Sequence, residues 1–78
     1  MSKVSQETLH LRMLQLVARQ RRGRGLYVIV GAETRSQREL VQAGHLIQEI
    51  TTGTAGRFYK FTLSASGQRM LDRAEAAQ

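Results

Sequence analysis

The chain has 78 residues, no cysteine and 41% hydrophobic residues, with twelve Lys and Arg against six Asp and Glu for a net charge of +6. A chain this short forms one small domain, residues 1–78, that buries only roughly 60% of the surface its unfolded form exposes, and no disulfide or thiolate-bound metal can brace it. No apolar run approaches the ~20 residues needed to cross a bilayer, and the N-terminal residues are too polar for a secretory signal, so a cytoplasmic protein without a membrane partner is expected.

The positive charge is concentrated. Between Arg12 and Arg38 lie seven arginines (Arg12, Arg19, Arg21, Arg22, Arg24, Arg35 and Arg38) and one acid, Glu33, while the remaining five bases and five acids cancel. A local excess of this kind is the usual electrostatic footprint of a nucleic-acid binder. It would also complement an acidic protein surface.

In chain order, residues 1–4 are expected to fray. Ser5 is placed to cap a first helix, with Glu7 favourable in its first turn. Leu9, Met13, Leu16 and Val17 follow the i, i+4, i+7, i+8 spacing of a buried stripe. Leu11, Leu14 and Ala18 widen it beyond what one core face needs, which points either to a second packing partner such as another protomer or to a first helix wrapped by the rest of so small a domain. The run from Arg19 to Gly25 ends the helix. Its Arg19, Arg21, Arg22 and Arg24 exceed what complementing the helix dipole requires, and guanidinium groups match phosphate oxygens.

Residues 26–30 (LYVIV) are β-branched and aromatic, bounded by glycines, and read as a buried strand. Thr34 and Gln37 fit a capping box opening a second, short helix to about Ala43, with Leu40 and Val41 facing in. Arg35, Ser36, Gln37 and Arg38 then fall on its exposed first turns. Arg to guanine and Gln to adenine are the favoured base-edge pairings of such a position. Gly44 supplies the left-handed residue that closes the helix.

An extended run from Leu46 to Thr51, a Gly/Thr-rich tip at 52–56 and a second extended run at 57–63 predict a hairpin. Tyr59, Phe61 and Leu63 alternate with Phe58, Lys60 and Thr62, so the first set is expected to face the core. Arg57 ends the tip. At Ser64 the period changes to that of a helix, with Gly67, Met70, Leu71, Ala74 and Ala77 on its inner side. Gly67 lowers helix propensity, and close packing is the expected compensation.

Two segments carry a family resemblance. Leu40 and Val41 followed by Gly44, Leu46 and Ile47 resemble the recognition-helix exit of MarR-like regulators, usually written L-x-x-x-G-L-I. Phe61, Thr62, Leu63, Ser64 and Gly67 followed by Leu71 are similar to their post-wing signature, L-[ST]-x-x-G-x-x-x-[LF]. Together they cover somewhat under half of the chain. The resemblance implies an α+β, winged-helix-like domain: helix, strand, helix, two-stranded wing hairpin, helix. It also implies double-stranded DNA as partner and transcriptional regulation, of phage or bacterial type, as function. Arg35, Gln37 and Arg38 would then meet the major groove, Arg57 the backbone or minor groove, and the arginines between Arg19 and Arg24 the phosphates; a homodimer would double the contact. The chain departs from the family between Gly31 and Gly44. Fourteen residues admit one short helix, so the supporting helix is either lost or represented by residues 26–30. A fold relieved of groove reading leaves a second function open, that of an inhibitor which blocks a host nucleoprotein complex, as phage-encoded CRISPR inhibitors do, through the same basic face.

Catalytic constellations are not legible. His10 and His45 stand alone without metal-ligand spacing, the six carboxylates form no evident pair, and the Gly23–Gly25 segment precedes a strand where a dinucleotide loop would follow one. A non-enzyme without metal or cofactor is expected.

Overall fold

The computed structural model describes residues 5–20 and 24–77; the expectation for residues 1–4 lies outside them. Six elements follow in the order α1 (Gln6–Ala18), β1 (Leu26–Ile29), α2 (Arg35–Gln42), β2 (Leu46–Gly53), β3 (Gly56–Leu63) and α3 (Ala65–Ala76). They form a small winged-helix-like α+β domain with one helix between β1 and β2.

The three strands pair antiparallel in the order β1-β3-β2. Leu26 lies opposite Phe61 and Val28 opposite Tyr59, while Leu46 lies opposite Leu63. Residues directly opposite one another point to the same face, so these six make one apolar face. Onto it pack Leu14 and Val17 of α1, Leu40 of α2 and Leu71 of α3, which with Leu46 and Phe61 form the buried core. The alternation read for β3 holds, with Phe61 fully buried and Tyr59 and Leu63 packed against the core.

Two expectations need correction here. The five-residue run at 26–30 is not a strand buried on both faces: Leu26 and Val28 turn inward while Tyr27 and Ile29 stay 53% and 61% exposed, because all the core helices lie on one side. On α1 the core line is Leu14 and Val17, and Leu9 and Leu16 are exposed. These two leucines sit about 150° around the helix from Leu14, away from the sheet.

Local signals fix the helix ends. Ser5 accepts the Thr8 amide at 3.2 Å. Thr34 accepts the Gln37 amide at 3.2 Å while the Gln37 side chain accepts the Thr34 amide at 2.8 Å, closing the expected capping box. At the end of α2, Gly44 takes φ +81. Its amide donates to the Val41 carbonyl at 3.0 Å and the His45 amide to the Leu40 carbonyl at 2.8 Å, the paired bonds of a Schellman stop.

That stop is bolted to the start of α3. The Ser64 hydroxyl donates to the Gly44 carbonyl at 2.6 Å and accepts the Gly67 amide at 3.1 Å, and Ser66 Oγ reaches the same carbonyl at 3.1 Å. Gly67 is buried against this joint, where a Cβ would overlap the His45 carbonyl oxygen. The close packing expected at Gly67 is therefore present, with the turn before β2 as the neighbour.

Candidate nucleic-acid interface

On α2 the buried side is set by Gln37 and Leu40. At 100° per residue, Arg35, Arg38 and Gln42 fall together on the opposite side, and all three are exposed. Arg35 lies 3.5 Å from Glu39 and keeps 81% of its side chain exposed. Arg38 and Gln42 line a shallow depression with Glu33, Val41, Gln48 and Tyr59, between α2 and the hairpin. Arg57 continues the Tyr59 and Phe61 row of β3, opposite Thr52. Arg35, Arg38 and Arg57 thus lie on the helix-bearing side of the sheet, and of the three Arg38 lines the depression between the helix and the hairpin. The one carboxylate in that depression, Glu33, is engaged by the Gly31 amide at 2.8 Å.

Gln37 does not belong to this group. It is 3% exposed, its oxygen is committed to the capping box, and its Nε2 lies 3.6 Å from Met13 Sδ. Expected on the exposed first turns of α2, it is instead a support beneath them. Gln42, one turn later, is the amide that faces outward. The sequence signal for it was the i, i+7 spacing from Arg35.

Arg19 and Arg24 are exposed at the other end of the sheet. Arg19 caps the C-terminus of α1. Gly25 enters β1 against Phe61 and Thr62, and the neighbouring hollow is lined by Val17, Ala18, Gly25, Thr62, Leu63 and Gln68. Five residue steps along β3 take the chain from Arg57 to Thr62, roughly 17 Å. The basic residues therefore form two groups. Arg21 and Arg22 lie outside the described residues.

The α2 group is braced from behind. Glu39 accepts both Gln6 Nε2 bonds, at 2.8 and 2.6 Å, and lies 3.2 Å from His10 Nε2. The Gln6 bond first, then His10 and the Arg35 charge, hold its carboxyl below the ordinary glutamate value. This brace fixes α2 against α1 and anchors the base of Arg35.

His45 Nδ1 lies 2.7 Å from Ser66 Oγ. The same Ser66 hydroxyl also reaches the Gly44 carbonyl at 3.1 Å and Ser64 Oγ at 3.3 Å, so the contact belongs to the joint between α2 and α3. Among the described residues no three His, Cys, Asp or Glu side chains gather to hold a metal ion, and no helix is long and apolar enough to cross a membrane.

Searches against protein-family models, curated proteins and solved structures find no match to this chain.

Proposed function

We propose that this protein is a small DNA-binding regulator acting in the cytoplasm, with double-stranded DNA held between α2 and the β2–β3 wing. The observation that carries this reading is the exposure of Arg35, Arg38 and Arg57 on the same side of the sheet, with Arg38 lining the depression between α2 and the hairpin. Arginine forks match phosphate oxygens and guanine edges, and Gln42 and Gln48 beside them offer amides suited to adenine. Arg19 and Arg24 form a second contact with the backbone, reached only if the duplex passes along the strands.

The resemblance to MarR-like regulators agrees with this reading. A protein-binding inhibitor is the second reading. It is favoured by the presence of one helix, eight residues long, between β1 and β2, where a groove reader of that family would carry a supporting helix as well.

Fluorescence anisotropy of a labelled random duplex, titrated between about 50 and 200 mM salt, separates the two. Three engaged arginines give a slope of log K against log salt near −2.7, or about 40-fold weaker binding over that range. Replacing Arg35, Arg38 and Arg57 by alanine one at a time is expected to reduce the slope by about 1 each. Absence of binding at the lowest salt would remove the DNA reading and leave the basic face to an acidic protein.

A further inference from the structure

The side of the sheet away from the helices carries Tyr27 and Ile29 of β1, Phe58, Lys60 and Thr62 of β3, and Ile47, Glu49 and Thr51 of β2, as the strand register requires. Tyr27, Ile29 and Ile47 are each about half exposed or more. Every core residue lies on the opposite face, and none of the described elements covers this one. An apolar patch of this kind on a small domain marks an interaction surface.

We infer that this bare sheet face closes on a second copy of the same chain. Charge selects that occupant. Among the described strand residues of this face, Lys60 and Glu49 are the only charged ones, and they lie directly opposite each other in the register. Those strand residues therefore sum to no net charge in a molecule of net charge +6, and they offer an approach on which two copies do not repel. A two-fold axis parallel to the strands, between β2 and β3, exchanges the two positions. Each Lys60 then meets Glu49 of the other copy, Ile47 meets Thr62 and Phe58 meets Thr51, an isologous contact. Tyr27 and Ile29, on the outer strand, flank the edge of this overlap.

Area sets the strength. The two overlapping strands of each copy, at ~4.8 Å spacing and five residues along each, give a footprint of about 10 by 17 Å. That falls below the ~800 Å² per partner of a standard interface, so the dimer is weak and reversible. Weak association suits the charge pattern, since the remaining surface of both copies is cationic.

Sedimentation equilibrium from about 1 to 300 µM, a span suited to small interfaces, tests this without DNA, so its outcome is independent of the functional reading above. The wild type is expected to pass reversibly from monomer to dimer. Glu49→Lys and Lys60→Glu should each weaken dimerisation about 10-fold or more by setting like charges across the axis, and the double exchange should restore it. Far-UV circular dichroism of each variant separates lost association from lost fold, and Ile29→Lys serves as a second, apolar-to-charged disruption. A monomer throughout overturns the inference. So does a dimer indifferent to all four variants, which would assign association elsewhere, such as the groove of Leu11, Met70 and Ala74 between α1 and α3.

Discussion

Gly67→Ala tests the joint between α2 and α3. In an open helix the change gains about 1 kcal/mol, the propensity difference between glycine and alanine. Here the new Cβ overlaps the His45 carbonyl oxygen, a backbone atom fixed by the Schellman stop. Relief requires the first turn of α3 to retreat from the turn before β2. Three bonds cross that boundary: the Ser64 amide to the His45 carbonyl at 3.3 Å, and the Ser64 and Ser66 hydroxyls to the Gly44 carbonyl. At about 0.5–1.5 kcal/mol each, their loss amounts to about 1.5–4.5 kcal/mol. After the propensity gain, a net destabilisation of about 1–3 kcal/mol is expected. Urea unfolding followed by circular dichroism reads it directly through the shift of midpoint at constant slope; by heat, 2 kcal/mol corresponds to a fall in Tm of roughly 8–16 °C for a domain of this size. A variant as stable as the wild type, or more stable, would refute the docking of α3 on the His45 carbonyl. Gly44→Ala is the matched control. Its φ of +81 brings strain, but the added Cβ meets nothing within 4 Å, so only the about 1–2 kcal/mol left-handed penalty is expected.

Glu39→Gln should alter the acid limb of stability. The native carboxyl lies below its ordinary value of 4.5, so the ionised form contributes stability above that value and loses it as pH falls through the lower native one. The gap between wild type and variant, measured by unfolding at stepped pH, should therefore narrow as pH falls below about 4.5; a constant gap would count against the Gln6 and His10 brace. Gln37→Ala and Gln42→Ala should separate support from contact. The first removes a capping box and a buried side chain and is expected to lower stability by about 1–2 kcal/mol, seen in denaturant unfolding. The second is expected to leave stability within about 0.5 kcal/mol and instead reduce preference between duplex sequences in competition anisotropy. The opposite pattern would return Gln37 to the interface.

Caps and stops were the legible part of the sequence because their chemistry is local. Ser5, Thr34 and Ser64 each lie within three residues of the amide they satisfy, and Gly44 needs only its own backbone angle. The β3 alternation was legible for the same reason, since a period of two is written along the strand. Residues 26–30 were not. All five are apolar, so the run has no alternation from which to tell one covered face from two, and the answer depends on all three helices lying on one side. Gln37 was misplaced because two demands act on one side chain: the capping box was visible, but Met13, 24 residues away, was not. On α1, Leu9 and Leu16 matched a helical stripe as well as Leu14 and Val17 did. Only the directions in which α2 and α3 pack decide which stripe is inside. The grouping of the arginines is likewise a tertiary fact, since Arg24 and Arg57 are far apart along the sheet although one precedes a strand and the other lies near the start of one.

The one-sided sheet has a further consequence for architecture. With the bare faces closed on each other, the α2–wing grooves of the two copies point outward in opposite directions. Such a pair cannot lay both grooves on adjacent half-sites of one straight duplex. On the proposed DNA-binding function, such a pair would instead hold two separate DNA segments on either side of a protein layer. A second segment would then be captured at the effective concentration of the first, giving loops or condensed strands as the expected product.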